Sequence, residues 1–403
     1  MYNAHKLFYR PSSRPCLKSA LVLSEIQREK LIECRQDIRT ALREGLRSAG
    51  GFLPRQEYYR EEFLAKASQA DSPDLVLRPK FRTQGSWAYD TLNRPAHVGQ
   101  QIDLDEGMYV PMSMMENAHP TVASSALYTI VETILGQLCI ARGWELDTSK
   151  SICIRVLIDA ETHVDVNIYA VPDAQVRLIE KRAAATTGMT FDSSMTLDLE
   201  TLRQIRLDPN QIYVAHRRKG WEQSDPLQLE EWFIDAADKH SAWTDLRRIV
   251  RYLKAWRDYR WESSTLNSLS LMVCAVEALD EANTPPIANR DDDGLLVVAR
   301  ALAKKVAGDI RNPVIPDALL NGHWSVTERN NFELAARVLK DELQAALELE
   351  QSANGVVQRL RKLFGPRIPN DDTLVSGGLA LEQIRSAQPK QTPSPKVGTS
   401  TSG

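Results

Sequence analysis

Three aspartates carry the strongest chemical signal in this chain of 403 residues. Ile102-Asp103-Leu104-Asp105 alternates apolar and acidic side chains, and Asp165 sits inside a second alternation, His163-Val164-Asp165-Val166-Asn167-Ile168. Residues two apart on a β-strand share a face, so Asp103 and Asp105 project together while Ile102 and Leu104 turn into a core. If the strand bearing Asp165 lies beside the first, three carboxylates converge. Such a cluster repels itself and raises its own pKa values unless a divalent cation neutralises it. Hard carboxylate oxygens favour Mg²⁺, with Mn²⁺ the other choice, and such ions also bridge to substrate phosphates. Upstream, Gln84-Gly85-Ser86 precedes Tyr89 and Thr91. Glycine lets the backbone approach a ligand, and serine adds a hydroxyl donor for a triphosphate oxygen. The chemistry implied is nucleotidyl transfer with two ions, one activating an attacking hydroxyl and the other steadying the departing pyrophosphate. Asp103 and Asp105 are assigned to both ions, and Asp165 to the site that activates the nucleophile. Taken singly, a D-x-D reads as a solvated pair and a Gly-Ser as a turn; their order along the chain carries the assignment.

These residues need a sheet to aim them. Residues 101–110, 151–159 and 162–171 read as strands, the last two close enough to form a hairpin, with one strongly apolar helix over 122–142 between the first and second. Before them, Ser24-Glu25-Ile26-Gln27 reads as a capping box for a long helix with Leu31, Cys34, Ile38, Leu42 and Leu46 at helical spacing, stopped by Gly50-Gly51. Its Arg28, Arg35, Arg39 and Arg43 form a stripe that reads as a solvated face in preference to an anion site. From about residue 225 the pattern is helical: 227–239, 243–260, 266–281, 294–307 and one long helix over 326–364. In the second of these, Arg247, Arg251 and Lys254 form a basic strip apart from the apolar face of Leu246, Ile249, Val250 and Leu253. The chain is therefore α+β, with residues 1–225 as an N-terminal helix plus catalytic core, 226–385 as a helical lobe and 386–403 as a flexible tail.

At about 150 residues per domain the length supports two to three domains. Lys plus Arg is 50 and Asp plus Glu is 53, a net charge of −3. That balance argues against coating a long nucleic acid and points to a small polyanion as substrate. The five cysteines are scattered without a C-x-x-C pair, which argues against a zinc site and fits a reducing cytoplasm. The first residues lack the apolar core of a signal peptide, and no stretch reads as the roughly 18 uninterrupted apolar residues of a membrane helix.

The run Gln84-Gly85-Ser86-Trp87-Ala88-Tyr89-Asp90-Thr91-Leu92-Asn93-Arg94-Pro95, followed by Gly99-Gln100, Asp103-Leu104-Asp105 and Gly107, resembles the cGAS/DncV-like bacterial nucleotidyltransferases, in particular the DncV branch that makes cyclic GMP-AMP. The likeness continues at His163-Val164-Asp165, Ser224-Asp225-Pro226, Leu253-Lys254-Ala255-Trp256-Arg257-Asp258 and Ser268-Leu269-Ser270, covering about residues 78–275. It implies a polymerase-β-like core with a helical C-terminal lobe and the triphosphate between them. It implies Gln84 through Tyr89 as the donor-nucleotide loop, the three aspartates as Mg²⁺ ligands, and Arg155, Ser224, Lys254 and Ser268 as nucleotide contacts. Read without it, Arg155 is equally an ion-pair partner on its strand, and Ser268 a buried helix hydroxyl. The resemblance further implies ATP and GTP as substrates and an antiphage (CBASS) second messenger that acts on a downstream effector. A ubiquitin-activating-like partner would act on the terminal Gly403.

Three readings compete with cyclic GMP-AMP synthesis: another cyclic or linear oligonucleotide product, a poly(A)- or CCA-adding enzyme, and an inactive nucleotide-binding scaffold. The charge balance offers no basic RNA-binding extension, and the complete aspartate set counts against the scaffold.

Overall fold

The computed structural model describes residues 1–11, 14–47, 79–111, 120–172, 212–224 and 226–377. The chain opens with two short helices, α1 (His5–Phe8) and α2 (Leu17–Leu21), then the long α3 (Glu25–Arg47). The Ser24 capping box forms: Gln27 N–H donates to Ser24 Oγ at 3.2 Å and Ser24 N–H to Gln27 Oε1 at 3.0 Å. The Gly50-Gly51 stop lies outside the described residues.

The core elements follow as β1 (Lys80–Thr83), α4 (Gly85–Ala88), β2 (Ile102–Pro111), α5 (Pro120–Arg142), β3 (Glu145–Asp147), β4 (Cys153–Asp159), β5 (Thr162–Val171), β6 (Tyr213–His216) and β7 (Gly220–Gln223). They build one mixed sheet in the order β1-β2-β5-β4-β3, extended by β6 on β5 and β7 on β6. Only β2 and β5 run parallel, in a register that pairs Asp103 with His163, Asp105 with Asp165 and Gly107 with Asn167. Because side chains alternate, Ile102, Leu104, Met108, Val164, Val166 and Ile168 all face one apolar layer with α3 and α5. The odd-numbered residues of both strands face the other way.

One even position breaks the apolar layer. Glu106 is fully buried and accepts from Arg39 Nε at 2.7 Å and from Thr83 Oγ at 3.0 Å. Burial raises its carboxyl pKa, with Arg39 opposing the rise. Arg35 also reaches Thr83 Oγ at 3.0 Å, while Arg28 lies over the Trp87 ring at 4.7 Å and Arg43 over Phe81 at 5.1 Å. The arginine stripe expected to be solvated is thus a packing face that neutralises a buried acid and covers two aromatic rings.

Among the described residues one helix segment, Ser124–Arg142, has the length and mean hydropathy of 1.3 to cross a membrane, where the sequence reading found none. Leu127, Ile130, Val131, Ile134 and Leu135 bury against the sheet and α3, so its apolarity serves the core.

The helical lobe comprises α6 (Pro226–His240), α7 (Leu246–Arg260), α8 (Ser268–Asp280), α9 (Asp291–Ala307), α10 (Val326–Gln344) and α11 (Ala353–Phe364). The single helix expected over 326–364 is two. After α10 the chain makes one π-turn, Ala345–Leu349, and Glu350 adopts extended backbone angles. Ser352 then caps α11 by accepting from Gly355 N–H at 3.0 Å, a local bond that competes with helix continuation. Arg359 ties the halves together, donating to Glu342 at 2.8 Å and Glu350 at 2.7 Å.

The boundary drawn at residue 225 places the first twenty residues with the core, but they pack on the lobe. Leu7, Phe8, Leu17 and Leu21 are buried among α7, α9 and α11 side chains. Tyr2 N–H donates to Leu347 O at 2.7 Å, Ala4 N–H to Asp292 Oδ2 at 2.8 Å, and Asn3 bridges to Ser376. The tail, 386–403, lies outside the described residues.

Candidate active site

The odd-numbered side chains of β2 and β5 open on a cleft of about 720 Å³ between the sheet and the helical lobe. Asp103, Asp105, His163, Asp165, Asn167 and Tyr169 line its floor. Asp105 and Asp165 are direct partners across the parallel pair, so the convergence expected of the three carboxylates is met. Burial first, then the charges of Asp103 and Asp165, hold the Asp105 carboxyl well above the usual range. Burial also works against ionisation of Asp103, but the His163 ring beside it prevails and holds that carboxyl below its usual value.

His163, quoted in the motif but not assigned a role from sequence, stands among the acids. The Gln101 amide donates to Asp159 O at 3.2 Å, which turns Gln101 Oε1 toward His163 Nδ1 at 2.9 Å. Nδ1 therefore carries a proton, and Nε2 faces Asp103 Oδ1 at 3.0 Å and Asp165 Oδ1 at 4.0 Å. Asp103 Oδ1 and His163 Nε2 are both buried and neither has a well-aligned hydrogen-bond partner. Ligand atoms of Asp103, His163 and Asp165 lie within 4.8 Å of one another. Orphaned polar atoms beside clustered carboxylates fit a hard divalent cation.

Arg155 pairs with Asp165 across β4 and β5, its Nε and Nη2 reaching the two carboxylate oxygens at 2.7 and 2.8 Å. This fork raises the Arg155 pKa. Arg155 lies outside the cleft lining, so of its two sequence readings the structure favours the ion pair. Asp165 retains lone pairs for a cation, since a carboxylate offers about four acceptor positions.

The Gly-Ser loop is fixed from below. Gln84 N–H donates to Asp105 O at 2.8 Å. The Gln84 amide donates to Tyr109 Oη at 2.6 Å and accepts from Tyr169 Oη at 3.1 Å, above two tyrosine rings stacked at 5.0 Å. Gly107 leaves room for this amide, since a Cβ on it would overlap the Gln84 side chain and force it to shift. Gly85 has φ +60°, and its Cβ would overlap Asp105 Oδ2. Gly85, Ser86 and Tyr89 line the cleft. The Trp87 and Ala88 side chains do not: Trp87 packs under Arg28 and Ala88 against the lobe.

The lobe supplies the opposite wall. Lys254 on α7 and Ser268 at the start of α8 line the cleft, and Ser224, just after β7, joins them. Lys254 is buried, and its Nζ donates to Thr91 O at 2.7 Å. Burial, assisted by Arg257 and Arg251, pushes its ammonium down to about 7, so an anionic partner in the cleft would be what holds it fully protonated near neutral pH. The strip of Arg247, Arg251 and Lys254 is no exposed face: Arg251 and Lys254 are 5% and 6% exposed.

Sequence reasoning passed over several lining residues. Arg257 follows Lys254 by three positions on α7, spacing that places both on one helix face, and it donates to Ser268 Oγ at 3.2 Å. Asn167 follows Asp165 by two on β5. Asn312, Val314 and Ile315 arrive from a loop after α9. Nothing periodic marks that loop; Asn312 shapes it by accepting from Val314 and Ile315 N–H at 3.0 and 3.2 Å.

A mixed sheet that aligns three carboxylates beneath a Gly-Ser loop, closed by a helical lobe, defines a nucleotidyltransferase. Residues 79–169 match the nucleotidyltransferase domain of DncV-like cyclic GMP-AMP synthases, and residues 244–377 match the C-terminal domain of cyclic GMP-AMP synthases. The chain belongs to the DncV-like cyclic GMP-AMP synthase family. It is 30% identical to the cyclic GMP-AMP synthase of Vibrio cholerae serotype O1, covering 80% of this chain and 76% of that one. A cyclic GMP-AMP synthase of Escherichia coli is 27% identical over 96% of both chains. Among solved structures, Vibrio cholerae DncV with the linear intermediate 5′ pppA(3′,5′)pG superposes with a TM-score of 0.73 at 25% identity, covering 93% of this chain and 98% of that one. DncV with GTP and 5MTHFGLU2 gives 0.75 at 25% identity, covering 94% and 99%.

Proposed function

We infer that the protein is a cyclic GMP-AMP synthase that joins ATP and GTP into a cyclic dinucleotide. The observation that carries this reading is the register of β2 on β5, which aims Asp103, Asp105 and Asp165 at one point under the Gly85-Ser86 loop. In each of two transfers a ribose 3′-hydroxyl forms a P–O bond to an α-phosphorus. The bond to the β-phosphate oxygen breaks, pyrophosphate leaves with its electron pair, and the hydroxyl proton is given up. The first transfer yields a linear dinucleotide; the second, after that dinucleotide turns in the cleft, closes the 3′3′ ring.

Asp103, Asp105 and Asp165 would hold two Mg²⁺ ions, or Mn²⁺ in their place. When bound, these supply charge neutralisation at the α-phosphate and lower the pKa of the attacking hydroxyl. The chain's own residues position the substrates. Gly85 admits the phosphates to the backbone, Ser86 donates its hydroxyl, and Lys254 sets a cation opposite. Ser224, Arg257 and Ser268 extend the polar wall of the same cleft.

Incubating the protein with labelled ATP and GTP, singly and together with Mg²⁺, followed by phosphatase, tests the reading. A phosphatase-resistant product that requires both nucleotides is expected. A resistant main product from ATP alone would assign a different cyclic nucleotide, and a fully phosphatase-sensitive product would exclude cyclisation.

The product serves as an antiphage second messenger for a downstream effector in the cytoplasm. Gly403 is the attachment point through which a ubiquitin-activating-like enzyme joins the chain to a target. Support for both comes from the family alone. Deleting Gly403 leaves nucleotide synthesis at the full rate and abolishes conjugation by the partner enzyme; loss of both together refutes a separate role for the tail.

A further inference from the structure

The segment between α4 and β2 belongs to the core by sequence but is held by the lobe. Arg251, on α7, donates from Nε to Asp90 O at 2.9 Å, from Nη2 to Asp90 Oδ1 at 2.8 Å and from Nη1 to Leu92 O. Lys254, one turn further on, takes Thr91 O. Three consecutive backbone carbonyls thus accept from two basic side chains of one helix. Asn93 returns the contact, its Nδ2 donating to Arg251 O at 2.8 Å. Asp90 has φ +53°, a left-handed conformation that a non-glycine residue keeps only when surroundings impose it.

This clasp leads directly to the donor loop. Thr91 N–H, framed by the two residues that Arg251 holds, donates to Ser86 O at 2.8 Å, and Asp90 N–H donates to Trp87 O at 3.2 Å. Arg251 is only 5% exposed and does not line the cleft, so it cannot touch a nucleotide there. A buried guanidinium left without partners costs several kcal/mol, so its geometry is enforced by the carbonyls it satisfies. A lysine in its place would keep the charge but could not reach carbonyls two residues apart at once.

We propose that Arg251 is a positioning residue for nucleotidyl transfer: by holding the Asp90 and Leu92 carbonyls it fixes Thr91, and through Thr91 it fixes Ser86 above the aspartates. The helical lobe thereby sets the position of the loop that receives the donor phosphates. This rests on the reading of Gly85 to Tyr89 as the donor-nucleotide loop.

The test is steady-state kinetics of Arg251→Lys and Asp90→Asn, singly and combined, each assayed about 20 °C below its own thermal midpoint, with wild type as reference. Asn tolerates the left-handed conformation, so Asp90→Asn removes the charge and leaves the turn in place. We expect kcat of Arg251→Lys to fall by about tenfold or more. The double variant should be no worse than Arg251→Lys alone, since both act on one clasp. A kcat of Arg251→Lys within about twofold of wild type overturns the proposal, as do fully multiplicative losses in the double variant. A loss that disappears below the variant's own midpoint assigns Arg251 to stability alone and overturns it as well. Wild-type protein that makes no product from ATP and GTP defeats the functional reading instead, before any variant is compared.

Discussion

Replacing Asp103 and Asp105 together by alanine is expected to abolish product formation while leaving the protein folded. Both carboxylates face the cleft, so their loss leaves the even-numbered apolar layer of β2 intact. Charge stabilisation by bound metal is worth several kcal/mol, and each 1.36 kcal/mol is tenfold, so turnover should drop by roughly 10³-fold or more. Product at more than about 1% of the wild-type rate would overturn the assignment of these aspartates. The same geometry links activity to stability with opposite signs. Asp105 carries a pKa raised above that of an unfolded aspartate. The folded state therefore holds its proton more tightly, and stability falls as pH rises from the unfolded pKa toward the folded one. Asp105→Asn removes that cost and should melt higher than wild type near neutral pH in EDTA. With Mg²⁺ present the gap should close, because the cation stabilises only the wild type. An Asp105→Asn variant that melts lower than wild type in EDTA would contradict the repulsion.

Gly85→Ala is the second large effect. A left-handed φ of +60° costs an L-residue about 1–2 kcal/mol, which alone would lower stability without touching catalysis. The added methyl, however, overlaps Asp105 Oδ2, so either the Asp105 carboxylate or the loop must shift. Displacements of about 1 Å at a reacting centre cost around 10²-fold, and kcat should fall by that order. Gly99→Ala separates strain from clash, because Gly99 has φ +95° and nothing lies within 4 Å of its added methyl. It should lose stability yet keep kcat within a few-fold of wild type. Equal losses of kcat in the two variants would show that backbone strain, and not the collision with Asp105, governs the site.

The catalytic floor was legible because it obeys a strict period. Alternation along 101–110 and 162–171 assigned each side chain to a face before any partner strand was known, and the observed strands begin and end within one residue of those ranges. Pairing of Asp105 with Asp165 needed one further assumption, that the strands are neighbours. What alternation cannot carry is the far wall. Arg257 was accessible through helical spacing, but Asn312, Val314 and Ile315 reach the cleft through a loop whose position depends on how α9 and α10 pack. The arginine stripe misled for a related reason. Charged residues at helical spacing read as solvated when nothing in the local sequence announces a buried acid, and Glu106 lies on another strand, more than sixty residues away. Arg155 shows what motif matching leaves out: its neighbour across the sheet, Asp165, takes up its guanidinium in an ion pair that the local sequence does not announce. The break near residue 350 was hidden because both flanking segments keep one apolar period.

The two-sided alternation of β2 and β5 divides the consequences of mutation by parity. Along residues 102–110 and 163–169, substitutions at even positions should appear chiefly as changes in protein abundance. At the odd acidic positions that line the cleft, Asp103, Asp105 and Asp165, they should appear as changes in product formation at unchanged abundance, whereas Gly107, Tyr109 and Tyr169 pack beneath the loop and belong with the frame. Glu106, an acid among apolar neighbours, belongs to the first group despite its charge. A lineage drifting under relaxed selection for catalysis would therefore lose its cleft-facing aspartates first, while the apolar frame kept the fold recognisable long after the chemistry had gone.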